Sequence, residues 1–228
     1  MMFDFHKGEL LLIDKPLDWT SFDAVNKIRR LIEKKTGVKL KVGHAGTLDP
    51  KATGLLLICT GAMTKQIVNL TGLDKEYCGT FILGATTPCY DTEKPVDRTF
   101  PVDHITEEMI RDTAKRFTGT IQQVPPQFSA KLVDGKRAYL SARKSREVRL
   151  DPVTITISEF EITHIALPEV GFRVSGSKGT YIRALARDFG EALGSGAYLA
   201  SLRRTRIGDY RVDDAINLPQ FEVLVAQQ

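Results

Sequence analysis

Cysteine is scarce in this chain, and the few cysteines present are not spaced for metal binding. The 228 residues contain only Cys59, Cys78 and Cys89. Their number is odd and no pair has C-x-x-C spacing, which argues against a disulfide framework and against a zinc site. We therefore expect no structural disulfide, no bound metal and a reducing, cytoplasmic location.

Long apolar runs are also missing. No stretch approaches the roughly 20 apolar residues that a membrane-spanning helix needs. The apolar patch at residues 10–13 is too short for a signal-peptide core and has acidic residues on both sides. The sequence therefore predicts neither a membrane anchor nor an export signal, and its 42% hydrophobic and 26% charged residues are typical of a globular protein.

The net charge of +4 is small, but the positive charge is concentrated. Residues 131–149 contain seven Lys and Arg against Asp134 and Glu147. Such concentration is typical of proteins that bind a polyanion such as nucleic acid, although a solvated charged loop gives the same pattern. A second cluster lies near the C-terminus and comprises Arg203, Arg204, Arg206 and Arg211 with Asp209.

Helix and strand patterns alternate without a regular βαβ rhythm. Thr20 or Ser21 is placed to cap a helix that ends at Gly37, with Phe22, Val25, Ile28 and Ile32 on its inward face. Residues 153–162 alternate as a strand, and a change of phase near 158–159 predicts a bulge. The other predicted strands are 9–13, 55–59, 79–84, 170–174 and 207–212, and the other predicted helices are capped by Thr106 and Thr180. We predict an α+β fold with a mixed, largely antiparallel sheet, in a single domain spanning 1–228.

The most unusual stretch is the glycine-rich loop at residues 43–54, GHAGTLDPKATG. It lacks both the Gly-Lys-Ser/Thr ending of a P-loop and the GxGxxG pattern, so neither phosphate-binding motif is present. The loop contains one carboxylate, Asp49. Pro50 biases Asp49 toward an extended conformation. The glycines around it let a substrate approach the backbone. This arrangement suits a presented nucleophile or base, and it would also suit a plain Asx-turn, since Asp-Pro is a common turn pair.

This loop resembles the catalytic GxLDPxATG motif of the TruB family of pseudouridine synthases. Five further segments resemble family motifs in the same order: 14–21 (DKPxGxTS), 75–77 (KxY), 124–139 (the basic insertion), 178–183 (KGTYIR) and 202–205 (LRRT). The similarity runs from about residue 9 to about residue 221. One departure is Asp18, which stands where the first motif has glycine.

The resemblance implies the pseudouridine-synthase fold and conversion of the T-loop uridine of tRNA, uridine 55, to pseudouridine after base flipping. Asp49 would be the essential carboxylate, either as a nucleophile or as a base toward a ribose proton. Arg183 would keep Asp49 ionised, and Tyr77 would stack on the target base and help to move its C5 proton.

Other roles also follow from the resemblance alone. His44 would occupy the position that the flipped base vacates, Lys15 would contact RNA or shape the pocket, and Leu202 would form the pocket wall. An insertion at about 124–151 would hold the T-arm stem-loop of tRNA through basic residues that include Lys131, Lys136, Arg137 and Arg143. No cofactor, no obligatory protein partner and no C-terminal PUA domain are expected.

Two other functions remain compatible with parts of the sequence. The basic insertion and Asp18 allow a non-catalytic tRNA-binding or tRNA-folding module, and Asp49 alone allows a nucleoside hydrolase. Single residues also have structural alternatives: Arg183 as an exposed helix arginine, Tyr77 as a core or strand tyrosine and His44 as a turn histidine.

Overall fold

The computed structural model describes residues 3–5, 7–127, 132–133, 136–137 and 150–227. The fold is α+β with a large mixed sheet and flanking helices, which confirms the predicted class. The chain forms two compact units, Met1–Tyr77 with Leu202–Gln228 (unit 1) and Cys78–Ser201 (unit 2). The single catalytic domain expected for 1–228 stays a prediction.

The elements have the following bounds. The strands are β1 (Leu10–Lys15), β2 (Val42–Ala45), β3 (Ala52–Thr60), β4 (Lys75–Leu83), β5 (Ala85–Thr86), β6 (Arg98–Thr99), β7 (Gly119–Gln123), β8 (Leu132–Val133), β9 (Lys136–Arg137), β10 (Val153–Ala166), β11 (Glu169–Gly176), β12 (Ala197–Ile207), β13 (Tyr210–Arg211) and β14 (Ile216–Asn217). The helices are α1 (Ser21–Thr36), α2 (Ile67–Gly72), α3 (Glu107–Arg116), α4 (Ile182–Ala192) and α5 (Leu218–Gln227), with short 3₁₀ helices at Gly61–Gln66 and Val212–Asp214. None of these helices has the length and apolar character that crossing a bilayer requires.

Unit 1 is built around β3. The strand order is β14-β1-β3-β12, with β1 antiparallel and β12 parallel to β3, and β2 also pairs with β3. Leu56 and Ile58 pack into the cluster formed with α1 and α5, whereas Leu55, Leu57 and Cys59 pack into a second cluster. Because both faces of β3 are covered, its sequence is a continuous apolar run, not an alternating one.

Helix α1 is fixed at both ends by its own sequence. Thr20 forms a capping box with Asp23, and Gly37 ends the helix in the left-handed conformation, with φ 69°. The predicted bounds are confirmed. The prediction that Phe22 faces inward is wrong, because Ala24 completes the buried face and Phe22 is 60% exposed.

In unit 2 the strand order is β4-β11-β10-β7. The pairing of β10 with β11 shifts register between Ile157 and Glu159, which confirms the predicted bulge. Stacked aromatic rings fill the core of this unit, with the centroids of Phe81 and Phe172 4.1 Å apart. Phe189 from α4 packs against Phe81, which attaches that helix to the sheet.

Three local predictions are wrong. Residues 207–212 are not one strand, because Gly208 turns the chain between β12 and β13 and donates its N–H to the carbonyl of Asp74. Thr180 does not cap α4, since its hydroxyl donates to the carbonyl of Ser177 and the helix begins two residues later. The loop predicted at 43–54 is shorter, because β2 and β3 occupy its two ends.

Candidate active site

Asp49 lies in a short loop, residues 46–51, that joins β2 to β3. The backbone N–H of Ala52 donates to the carbonyl of Asp49 at 3.1 Å. This bond closes a four-residue turn with Pro50 at its second position, where proline is favoured. Asp49 and Pro50 therefore lie in a turn that backbone atoms close. This turn does not exclude a catalytic role, because the bond that closes it uses the backbone carbonyl of Asp49.

The loop is anchored to the start of α1 by the hydroxyl of Ser21. Ser21 Oγ accepts from the N–H of Leu48 at 2.8 Å and donates to the carbonyl of Leu48 at 3.1 Å. Both residues are buried, so losing these bonds would leave polar groups unsatisfied away from water. Ser21 thereby fixes the residue that precedes Asp49.

Asp18 holds the other side of the loop. Its φ of 62° lies in the left-handed region, which glycine adopts most easily and aspartate tolerates better than most residues. In this conformation its N–H donates to the carbonyl of Pro50 at 2.9 Å, and its carboxylate pairs with Lys51 at 2.7 Å. The departure from the glycine of the DKPxGxTS motif therefore preserves the contact with the loop.

We expect Asp18→Gly to stay within about 1 kcal/mol of the parent in stability and Asp18→Ala to lose about 1–2 kcal/mol. Glycine removes only an exposed ion pair, whereas alanine keeps a Cβ that opposes the left-handed backbone. Urea denaturation of the two variants measures the difference. Equal stability of the two would show that residue 18 does not need this conformation.

A fully buried arginine lies against the start of the loop. Arg204 Nε donates to the carbonyl of Leu55 at 2.7 Å, and its terminal nitrogens donate to the carbonyls of Gly46 at 3.0 Å and Thr47 at 3.4 Å. The guanidinium also interacts electrostatically with the side chain of Tyr77. Burial lowers the pKa of Arg204, and the interaction with Tyr77 opposes that shift. One side chain thus holds the Asp49 loop and also interacts with the polar end of Tyr77.

Lys15, at the end of β1, is a second buried cation in this region. Its ammonium donates to the carbonyls of Pro16 at 2.8 Å and Trp19 at 2.6 Å. Burial lowers the pKa of Lys15 to about 8, while the negative charge of Asp49 acts in the opposite direction and the charge of Arg204 adds to the lowering. Lys15 therefore interacts electrostatically with Asp49 while it closes the turn at 16–19.

We expect turnover to fall above about pH 8, because neutral Lys15 no longer supplies the positive charge that attracts the carboxylate of Asp49. The contribution of Lys15 to the free energy of unfolding should change in the opposite direction to turnover and increase with pH. In the unfolded chain its pKa is near the ordinary 10.5. Between about pH 8 and about pH 10.5 the unfolded state therefore binds more protons, and the contribution of Lys15 to the free energy of unfolding rises with pH.

The measurements are pH profiles of turnover and of urea denaturation for the parent and for Lys15→Met. Lys15→Met should show neither the fall in turnover above about pH 8 nor the rise in the free energy of unfolding. A parent turnover rate that is constant from about pH 7 to about pH 9.5 would contradict the expectation.

Tyr77 is a half-buried strand tyrosine on β4. The start of this strand is fixed by Lys75, whose buried ammonium donates to the carbonyls of Thr71 at 2.7 Å and Leu73 at 2.5 Å, at the C-terminal end of α2. A cation is favourable at this end of a helix. Lys75 therefore fixes the start of the strand that carries Tyr77, and Arg204 interacts with the side chain of Tyr77.

The loop glycines serve backbone packing. At Gly54, where φ is 100°, an added Cβ would clash with the carbonyl oxygen of Arg204 on β12. A Cβ on Gly43 would lie 2.8 Å from Cδ1 of Ile67. The expectation that these two glycines open the backbone to a substrate is wrong, because neighbouring protein atoms occupy the space.

Arg183 lies in the first turn of α4 and is 6% exposed, so the alternative of an exposed helix arginine is wrong. Its Nε is 3.5 Å from Oδ2 of Asp91, which is also buried, and its Nη1 donates to the carbonyl of Cys89 at 3.2 Å. A buried ion pair of this kind holds the arginine in one place. The pairing of Arg183 with Asp49 stays a prediction.

His44 and Leu202 belong to strands that flank the loop. His44 on β2 lies opposite Ile58 of β3, and Leu202 on β12 lies opposite Ala52. The structure thus brings both residues to the strands that meet at the Asp49 loop. Their predicted roles toward RNA stay predictions.

The basic insertion is described only in part. Lys136 and Arg137 form β9, which pairs antiparallel with Leu132–Val133. Lys131 and Arg143 lie outside the described residues. The RNA-binding role of all four basic residues stays a prediction.

Sequence reasoning missed the roles of Arg204 and Asp91. A signal for Arg204 was available, because successive residues of a strand face opposite sides of the sheet. Arg203 and Arg204 are adjacent on β12, so their side chains lie on opposite faces of the sheet, and Arg204 is on the buried face. No comparable local signal marked Asp91.

Two family models match consecutive parts of the chain. The model described as TruB family pseudouridylate synthase (N terminal domain) matches residues 29–182. The model described as tRNA pseudouridylate synthase B C-terminal domain matches residues 183–228. Together they extend over the Asp49 loop and all the motif segments that follow it.

Proteins named tRNA pseudouridine synthase B are similar over nearly the whole chain. The protein of Flavobacterium johnsoniae is 57% identical over 221 residues, which are 96% of either chain. The protein of Phocaeicola vulgatus is 55% identical over 226 residues, 99% of this chain and 96% of the relative. The protein of Chlorobium luteolum is 51% identical, over 97% of this chain and 76% of the relative.

Solved structures share the fold. A chain in a Cbf5-Nop10-Gar1 complex matches with a TM-score of 0.72 and 30% identity over 94% of this chain. A chain in an H/ACA RNP bound to a substrate RNA containing 2′-deoxyuridine matches with a TM-score of 0.67 and 29% identity over 92% of this chain. The present chain spans about half the length of these solved chains, 53% and 51%. Its motifs, its family-model matches and its relatives place the chain in the TruB family of pseudouridylate synthases.

Proposed function

We propose that this chain converts uridine 55 in the T-loop of tRNA to pseudouridine, with Asp49 as the essential carboxylate. The supporting observation is the fixed presentation of Asp49. Ser21 holds the residue before it, Asp18 holds the residue after it, and Arg204 holds the start of its loop. The relatives named tRNA pseudouridine synthase B support tRNA as the substrate class.

The reaction breaks the bond between N1 of uracil and C1′ of the ribose and forms a bond between C5 and C1′. C5 loses a proton and N1 gains one, so the product is an isomer. Asp49 attacks the sugar or the base as a nucleophile, or removes a ribose proton as a base. Each role uses the charged carboxylate, and the positive charge of Lys15 interacts with it. Arg183 is proposed as a further cation that keeps Asp49 ionised.

The remaining roles concern the target base. A uridine in a folded loop must leave its stack to reach Asp49, and His44 is proposed to occupy the vacated position. The ring of Tyr77 is proposed to stack on the flipped base and to help to move the C5 proton. Its electrostatic interaction with Arg204 supports this, because a phenol held in one place can meet the base in one geometry.

The test is release of tritium from a T-arm stem-loop whose uridine 55 carries the label at C5. We expect the parent to release the label and to form pseudouridine at that position alone, and an RNA with cytidine there to give no product. Free uracil in the product mixture would indicate a hydrolase. RNA binding without release would indicate a binding module, and either result would overturn the proposal.

A further inference from the structure

A basic cavity of about 440 Å³ lies in unit 1, apart from the residues assigned above. We call it the basic pocket. It is lined by Arg29, Lys39, Leu40, Lys41, Val42, Gly43, Thr64 and Ile67. Three of these residues are cations and none is acidic, so the lining carries a net positive charge.

The cations of this region are not neutralised by carboxylates. Residues 29–41 contain six Lys and Arg against Glu33. Within the described part of the chain, Arg29, Lys39 and Lys41 form no ion pair, whereas the nearby Lys27 pairs with Glu222 at 2.7 Å. Arg29 donates only to neutral groups, the side chain of Asn26 at 3.0 Å and the carbonyl of Val42 at 3.2 Å. Cations without a carboxylate partner around a concave surface concentrate the positive field there and attract anions.

The floor of the pocket is apolar. Val42 is buried, and Leu40 and Ile67 are half-buried, while Lys39 and Lys41 are exposed. An apolar surface beneath a cationic rim fits a sugar-phosphate backbone, since the ribose packs on apolar side chains and the phosphate pairs with cations.

The pocket belongs to the same hairpin as the Asp49 loop. Lys41 directly precedes β2, and His44 is three residues further along. At about 3.3 Å per residue the strand covers about 10 Å between them. That distance is well below one turn of a nucleic-acid duplex, about 34 Å, so a stem-loop held near His44 is long enough to reach the pocket.

We propose that the basic pocket binds the sugar-phosphate backbone of the substrate tRNA outside the reacting loop, as a second RNA-binding surface besides the insertion. This rests on the proposed function for the identity of the RNA. Because phosphate contacts release counterions, each one contributes a slope of about 0.7–0.9 to the salt dependence of log affinity.

The test uses Lys39→Gln with Lys41→Gln, since neither ammonium bonds another described residue. The matched control is Lys94→Gln with Arg98→Gln, which removes the same charge from two exposed residues of unit 2. Fluorescence anisotropy gives the affinity for full-length tRNA at a series of salt concentrations. Tritium release by the parent is measured separately.

We expect the pocket variant to bind tRNA roughly tenfold more weakly at 0.1 M salt and to lose about 1.4–1.8 of the salt slope. The control should match the parent. An affinity and slope equal to those of the control would overturn the proposal. If the parent releases no tritium but the pocket variant shows this loss, the proposed reaction fails and the RNA-binding surface stands.

Discussion

Asp49→Asn is expected to lower pseudouridine formation at least about 10³-fold, because neither a nucleophile nor a base survives the loss of the carboxylate. The amide has nearly the same shape, and the turn around residue 49 is closed by backbone atoms. The loop should therefore keep its conformation, and tRNA binding should stay within a few-fold of the parent. Tritium release under single-turnover conditions and anisotropy measure the two effects.

The matched control for this variant is Asp18→Asn. Asp18 contacts the same loop, and asparagine also tolerates its left-handed backbone. Only an exposed ion pair with Lys51 is lost, so activity should stay within a few-fold. Unchanged turnover by Asp49→Asn would exclude Asp49 as the essential carboxylate. An equal loss in both variants would show that the loop tolerates no change of charge.

Arg204→Lys is expected to lower kcat about 10²-fold and to cost about 2–4 kcal/mol in stability. Lysine keeps the charge but lacks the fork that reaches the carbonyls of Gly46 and Leu55 together. Because Arg204 is 1% exposed, it acts through the loop and Tyr77 as a positioning residue. The loss should therefore appear in kcat and leave the affinity for tRNA unchanged.

The neighbouring arginine provides the control. Arg203 pairs bidentately with Asp14, at 3.0 Å and 2.7 Å, and its side chain is 43% exposed. Arg203→Lys should cost under about 1 kcal/mol and leave kcat within a few-fold. Steady-state kinetics below the unfolding transition of each variant give kcat and KM. A rise in KM at constant kcat for Arg204→Lys would contradict a positioning role.

A double-mutant cycle locates the action of Arg204. Tyr77→Phe removes the hydroxyl that the guanidinium contacts. If Arg204 acts partly through that hydroxyl, the loss of kcat in the double variant should be smaller than the product of the two single losses. If the loss of kcat in the double variant equals the product of the two single losses, Arg204 acts only through the Asp49 loop.

The features predicted correctly from the sequence are those set by neighbours in the chain. The capping box of Thr20 with Asp23 and the left-handed Gly37 each involve residues within one helical turn. The bulge near 158 follows from the alternation of β10 itself. The turn at Asp49 follows from its proline. Such features need no distant partner, so local patterns predict them.

The wrong predictions concern residues whose surroundings are assembled from elsewhere. Phe22 is apolar and lies near the buried face of α1, yet Ala24 is buried there and Phe22 is not. Residues 207–212 have a strand-like composition, but Gly208 bonds Asp74 from a distant segment and turns the chain. Arg183 is charged, yet Asp91 stabilises it in the interior.

The sequence by itself determined the α+β class, the helix caps, the Asp49 turn and the chemical groups available for uridine chemistry. Only the tertiary structure decided which residues hold that carboxylate in place. Ser21, Asp18 and Arg204 reach the loop because α1 packs on the sheet and β12 pairs with β3. These hydrogen bonds join segments far apart in the chain, and they persist because burial makes their loss costly.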